Sequence, residues 1–412
     1  AEMLLINALN KSPNNLQILI RYATLAQDQL DFNLAEIRWR RILRIRPDNY
    51  SALMGIVRCN LKLDKFEDVE QSLREIVNST KYEHKISPYI ELINLLTNYR
   101  KNSDEVISFC LKAIDKAGGE LAENTKLSHV PFVHLALSLS IIGKGMEAAK
   151  LIEEQLANDP GNIEYILALS RIYRVNGFPK KAFKLFTDIF TSVSPQGTEV
   201  ITNSVDHSYA VGALDSNLKV AKVDGPLVSV IMTAYKAEEL LSVAVDSILK
   251  QTWNNIELII VDDCSPDNTF TILQNLSNAD DRIKIIRMKS NGGTYVAKNE
   301  GLSKAKGKYV TFHDSDDWLH PSKIEMQVNL LEQNNNLVAC STKYLRVDEN
   351  STVIFHSKGA TRHACISLMI RKDIVLPKIG YFDAVRVSAD AEYEQRIKAI
   401  FGTESTEEIP IP

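Results

Sequence analysis

No pair of cysteines in this sequence has the CxxC spacing of a zinc or redox site. The five thiols, Cys59, Cys110, Cys264, Cys340 and Cys365, are scattered and odd in number. That pattern fits a reducing compartment and a protein without a disulfide framework or structural zinc. Positive charge is not in excess either. A formal net charge of −4 argues against nucleic acid as the main partner, because phosphate binding needs a basic surface. No apolar run approaches the roughly 18–20 residues of a membrane span. A glycine-rich phosphate loop of the Walker or dinucleotide type is also missing, so a bound diphosphate would need another partner. Cysteine usage sets the expectation of a cytoplasmic protein, with peripheral attachment at the inner membrane face left open.

The apolar share of 45% and charged share of 24% are those of an ordinary globular protein, and 412 residues suffice for two or three domains. Proline gives the phase of the first half. Pro13 and Pro47 lie one 34-residue step apart in polar turns, Pro160 closes a later unit, and Pro195 lies one residue beyond a full step from it. Small residues recur where paired helices must cross, with a large apolar residue four positions after the second. The sets are Ala23, Ala35 and Trp39; Ala136, Gly143, Ala148 and Ile152; and Ser170, Tyr173, Gly177, Ala182 and Phe186. The unit after Pro47 is degenerate, with Val57 and Val69 where small residues belong, and residues 80–128 read as helical but off-period. Small residues permit close helix approach and the apolar ones fill the seam. Each hairpin cannot bury its face alone, so the units should stack into a solenoid. This pattern resembles the tetratricopeptide (TPR) family, which implies a concave face for a protein partner or a polymer. The phase of Ala1, Leu5, Ala8 and Pro13 leads us to expect that the natural protein begins further upstream.

The period changes after residue 194. Residues 195–225 are polar and punctuated by Gly and Asp, and read as a connector. From Pro226, apolar strands alternate with helical stretches, the pattern of βαβ units and a mostly parallel sheet. Strands are expected at 227–233, 256–261 and 283–288, and a fourth before the acidic cluster. Ser265 reads as a helix N-cap with Pro266 at the first helical position. The expected organisation is therefore an all-α solenoid over 1–194, a linker over 195–225 and an α/β domain over 226–412.

Three strands run into polar residues that folding does not require: Thr233-Ala234-Tyr235, Asp262-Asp263, and Asp314-Ser315-Asp316-Asp317. In an open α/β sheet the carboxyl ends of the strands border the ligand crevice. Carboxylates from separate strands should thus converge on one cleft. As hard oxygen ligands they suit Mg²⁺ or Mn²⁺, which commonly bind through one or two carboxylates together with substrate phosphates.

From Pro226 to about Arg396 the residues resemble family 2 of the inverting glycosyltransferases, with the GT-A fold. The resemblance is carried by "VSVIMTAYKAEELLSVAVDSILKQTW", "VDDCSPD", Asn291, Gly293, Ala297, Lys298, Asn299, Gly301, and Asp314 to Asp317. It implies a nucleotide-sugar donor, typically UDP-linked, and a glycan acceptor. Thr233, Ala234 and Tyr235 would then frame the nucleobase, and Asp263 would accept a hydrogen bond from it, with Asp262 alongside. Lys298 would face the base or phosphates. Asp314 would approach the ribose and metal, and Asp316 and Asp317 would share the metal–diphosphate contacts, the direct ligand being undecided between them. The resemblance implies a base at the start of a late helix, where Asp390 stands, with Arg396 at the following arginine. Glu392 is the reserve and Asp383 a distant third. His363, in "RHACISLMIRKDIV", is a candidate donor-sugar contact or a structural histidine. The Q-x-x-R-W signature of processive membrane synthases is absent, and a C-terminal extension beyond "EEIPIP" is expected. The alternative is a TPR scaffold carrying a non-catalytic nucleotide-sugar-binding domain, which would predict loss of a metal carboxylate or base.

Overall fold

The structure is a computed structural model and describes residues 2–82, 85–116, 129–191, 198–208, 210–218, 222–356, 359–385 and 388–410. By their contacts the residues divide into two units, Ala1–Ala168 with Phe355–Gly359, and Leu169–Ile354 with Ala360–Pro412. Pro195 and residues 117–128 lie outside the described residues.

The first unit is helical. Helices Leu16–Asp28 and Phe32–Ile45 form one hairpin, Tyr50–Lys62 and Phe66–Asn78 the next, and Val130–Ile141 and Gly145–Asn158 a later one. Asn15, Asp31 and Asn49 accept hydrogen bonds from the first-turn amides of the helices they precede, satisfying donors that have no partner within the helix. The hairpin turns share a left-handed residue, and its spacing is the repeat. Leu30 and Asp64 lie one 34-residue step apart, as do Gly143 and Gly177, each with φ between 57° and 85°. The off-period stretch takes a different form, a helix Ser87–Leu95 running into a π-helical turn Leu96–Arg100 before Ser103–Lys116.

Ala23 and Ala35 are fully buried where the first hairpin crosses, and Trp39 is buried in the seam. Val57 and Val69 are fully buried too, so the degenerate unit keeps the crossing with bulkier residues. Its close approach moves to Gly55, where a Cβ would sit 2.5 Å from the Trp39 indole. Replacing Gly55 therefore overpacks a filled seam, which typically costs about 1–3 kcal/mol. Gly55→Val should lower the urea midpoint of the helical unit by a corresponding amount, read by Trp39 fluorescence. An unchanged midpoint would contradict this packing.

The second unit opens with the end of helix Ile163–Val175 and with Pro179–Thr191. Arg171 and Arg174 from the first of these donate to the carbonyls of Val353 and Asn350. The stretch expected as a connector contains a two-stranded antiparallel ribbon, β1 (Thr198–Thr202) and β2 (Leu214–Leu218). The main sheet follows with β3 (Val228–Ala234), β4 (Ile256–Asp262), β5 (Ile283–Arg287), β6 (Tyr309–Asp314), β7 (Ala339–Tyr344), β8 (Arg362–Arg371) and β9 (Thr406–Ile409). Its order is β5-β4-β3-β6-β8-β7-β9. The first four strands are mutually parallel, and β8 runs antiparallel between β6 and β7. Val228, Val230 and Met232 pack on one face of β3 and Ile231 on the other. All seven residues of β3 are buried, which is why it reads as a continuous apolar run rather than an alternating one.

One expected boundary moves. The helix after β4 begins at Thr269 with Asn268 at its N-cap, not at Ser265 and Pro266. Ser265 is occupied elsewhere: its amide donates to Asp262 and its hydroxyl accepts from the Lys236 amide. A serine that ties two strand ends together cannot also cap a helix.

Candidate active site

Parallel register brings the polar strand ends together. Thr233 pairs with Val261 on one side and with Asp314 on the other, while Ala234 pairs with Asp262. Asp314 closes β6 and starts a turn in which the Asp317 amide donates to the Asp314 carbonyl, 3.4 Å away. Asp314, Asp316 and Asp317 thus project from one tight turn. Across from them, Asp390 lies in the first turn of helix Ala389–Phe401. All four carboxylates line a single cavity of about 1000 Å³ within the second unit. Its apolar wall includes Phe186 and Phe190, from helix Pro179–Thr191.

The residues expected on the nucleotide side are not in the lining of that cavity, and Lys298 adjoins it through Asp314. Lys298, almost fully buried, places its Nζ 3.4 Å from Asp314 Oδ1. Thr233 shares a hydroxyl hydrogen bond of 3.0 Å with Thr294. Tyr235, by contrast, is 46% exposed immediately after a fully buried strand, with Lys236 Nζ 5.6 Å from its ring centroid. Asp262 is fully buried, and its Oδ2 lies 3.3 Å from Arg287 Nε yet has no hydrogen-bond partner among the described residues. Asp263 is buried, and both its carboxylate oxygens accept backbone amides, from Gly292 at 2.7 Å and Gly293 at 2.8 Å. Its role thus includes holding that glycine turn, which sequence reasoning did not foresee.

The same segment, Gly292 to Asn299, reaches every part of the site. Besides the glycine amides and Lys298, Tyr295 donates its hydroxyl to Asp390 Oδ1 at 2.9 Å. Asn299 makes reciprocal hydrogen bonds with the Phe382 carbonyl and amide, fixing the loop that leads to Asp390. Helix Thr294–Lys304 lies close to the sheet because Gly301 has no Cβ, which would meet Ile231 at 2.7 Å. Tyr295 and its role were missed from sequence. The signal was its position within the same motif as Lys298, on one helical face at i and i+3.

The two reserve candidates for the base are placed differently from Asp390. Glu392 is ion-paired with Arg396 and does not line the cavity. Asp383 is exposed and lies 3.5 Å from the same guanidinium.

Burial and mutual repulsion dominate the electrostatics. Asp314 is raised above the ordinary carboxylate range, mainly by burial and also by the charge on Asp316, with Lys298 opposing. Asp317 is pushed up to about 6, by desolvation within the cleft and then by Asp314 and Asp316. Beneath the turn, burial lowers Lys323 to about 8, His320 to about 4 and His313 to about 3. Clustered carboxylates in one partly desolvated turn are hard oxygen donors of the kind that fit a divalent cation. Asp314, Asp316 and Asp317 are the residues that could hold it.

Residues 229–389 match the family model for glycosyl transferase family 2. Among curated proteins, an uncharacterized glycosyltransferase of Haemophilus influenzae is 44% identical over 110 residues, covering 27% of this chain and 44% of its own length. The putative teichuronic acid biosynthesis glycosyltransferase TuaG of Bacillus subtilis is 43% identical over 106 residues, 26% of this chain and 42% of its own. The Escherichia coli UDP-Glc:alpha-D-GlcNAc-diphosphoundecaprenol beta-1,3-glucosyltransferase WfgD is 41% identical over 114 residues, 27% of this chain and 44% of its own. The chain therefore spans less than half the length of these relatives.

His320 gives a test of the buried environment beside the turn. A histidine whose folded pKa is lowered from 6.5 to about 4 takes up its proton only in the unfolded chain across that window. Its stabilising share is complete above about pH 6.5 and is lost as pH falls toward 4. His320→Gln should make the fall in Tm between pH 6.5 and 4.5 shallower than in wild type; an unchanged slope would contradict the assignment.

Residues 229–389, which match the glycosyl transferase family 2 model, lie on the strands and turns that build this site, and the helices before them pair into hairpins of a 34-residue step.

Proposed function

We propose that this chain transfers a sugar, with inversion, from a nucleotide-sugar donor to a glycan acceptor, and that the transfer requires a divalent metal. The observation that carries this reading is the meeting of Asp314, Asp316, Asp317 and Asp390 in one cavity beside Lys298 and Thr233. A UDP-linked donor is the reading favoured for the nucleotide, on the exposed Tyr235 and the buried Asp262 and Asp263 at the strand ends, and on the donor named for WfgD. Surface polysaccharide is the favoured product class, from the names of the same relatives. The helical repeats would position the acceptor chain or an assembly partner. No helix among the described residues is long and apolar enough to cross a membrane.

In this reading Asp314, Asp316 and Asp317 hold Mn²⁺ or Mg²⁺ together with the donor diphosphate. Bound there, the ion would supply charge stabilisation to the departing nucleoside diphosphate. Asp390 accepts the proton of the acceptor hydroxyl as that oxygen attacks the anomeric carbon. The hydroxyl of Tyr295, itself raised to about 12 by burial and by Asp390, stays protonated at neutral pH. It therefore keeps donating to Oδ1 and leaves the other carboxylate oxygen to the acceptor. Lys298 balances part of the charge on Asp314, and Tyr235 stacks on the base.

The test is UDP release by the full chain from a panel of UDP-sugars with glycan and lipid-linked acceptors. Asp390→Asn should reduce turnover by about 10²–10⁴-fold, the usual worth of a general base, with UDP affinity unchanged. Glu392→Gln should stay near wild type, and Tyr295→Phe should fall between, with kcat affected more than donor KM. Wild-type turnover by Asp390→Asn would overturn the assignment.

A further inference from the structure

A second group of metal-ligating side chains lies on the same sheet, and the reaction proposed above makes no use of it. His363 and Cys365 alternate along β8, so both side chains leave the same face of the strand. Glu394, on helix Ala389–Phe401, faces them. The ligand atoms of these three residues all lie within 4.8 Å of one another. They border a separate cavity of about 430 Å³ that Glu407 and Glu408 of β9 also line.

The chemistry of the donor set differs from that of the aspartate turn. Imidazole, thiolate and a single carboxylate are the ligands of zinc, whereas Mg²⁺ and Mn²⁺ prefer oxygen alone. His363 is oriented at both ring nitrogens. Nε2 lies 2.6 Å from Glu394 Oε2, and Nδ1 lies 3.5 Å from Glu408 Oε2. A carboxylate behind the non-coordinating nitrogen is the usual partner of a zinc-bound histidine, fixing its tautomer and orientation. Glu408 also has its Oε1 shielded from water without a hydrogen-bond partner among the described residues. Two glutamates thus flank one histidine. Lys398 Nζ pairs with the other carboxylate oxygen of Glu394.

We propose that His363, Cys365 and Glu394 form a zinc site, with Glu408 orienting the histidine and a water in the remaining position. Metal uptake by histidine and thiol ligands in general releases their protons to solvent, so binding strengthens as pH rises. The consequence for the domain is positional. Glu394 lies one helical turn after Asp390, on the same helix face. An ion bridging Glu394 to β8 therefore fixes the rotation and register of the helix that carries Asp390. It also assigns His363, which borders both cavities, to the ion and not to the donor sugar. Sequence spacing hid this arrangement, because the third ligand lies 29 positions beyond Cys365 and only the sheet brings it close.

The test uses the full chain in reducing buffer, stripped with chelator and reloaded with cobalt(II) as a spectroscopic substitute for zinc. We expect one equivalent of cobalt to give thiolate-to-metal charge-transfer absorption, and one zinc per chain to displace it. Cys365→Ser should lose the charge-transfer band while keeping the wild-type circular dichroism. Asp316→Asn, in the aspartate turn, should retain the band. Should Cys365→Ser fail to fold, His363→Gln serves instead and should lose stoichiometric zinc with its thiol intact. Absence of the band in wild type, or its persistence in Cys365→Ser, would overturn the site. None of these readings depends on transferase activity, so failure here is distinguishable from failure of the proposed reaction.

Discussion

Negative charge crowded at the end of β6 is the constraint on which the second unit turns. Asp314, Asp316 and Asp317 share one turn, and Asp390 faces them across the cavity. Only Lys298 is ion-paired with this group among the described residues. A carboxyl whose folded pKa is raised holds its proton more tightly in the folded chain. Stability contributed by such a group is present at low pH and declines as pH rises from the ordinary carboxylate range through about 6, the value reached by Asp317. Above that range the ionised Asp317 weighs against the folded chain, and a bound cation would offset that cost. Much of the surrounding structure can be understood as what keeps the carboxylates in place meanwhile.

The segment from Gly292 to Asn299 is the principal device. Its amides hold Asp263, its lysine meets Asp314, its tyrosine meets Asp390, and its asparagine clamps Phe382. A single short element therefore couples the ends of β4 and β6 to the final helix. Such coupling explains why a helix of 11 residues is drawn so tightly onto the sheet at Gly301. It also explains the density of named residues in a stretch that would otherwise read as a turn and an ordinary helix.

The fold was legible where periodicity is strong. Small residues at Ala23 and Ala35 marked the helical crossings, and the buried run of β3 marked a two-sided parallel strand. That Asp262 and Asp314 reach the same edge of the sheet followed from the parallel reading, since parallel strands deliver their carboxyl ends together, but of the two only Asp314 lines the cavity. What stayed hidden depended on tertiary partners. Ser265 looked like a cap because local chemistry allowed it, but Lys236 and Asp262 claim it. Gly55 carried no signal until Trp39 was seen against it. The ribbon of β1 and β2 lies in a polar, punctuated stretch whose alternation is too short to register. The pairing of Glu394 with His363 joins a helix to a strand across the sheet, and no local pattern encodes it.

Calorimetric titration of the full chain with UDP asks whether a nucleoside diphosphate and a divalent cation bind together among the aspartates. With Mn²⁺ present, saturable binding of one UDP per chain is expected, and none when Mn²⁺ is replaced by EDTA. Equal affinity for UDP with and without the metal, or no binding in either condition, would contradict the account.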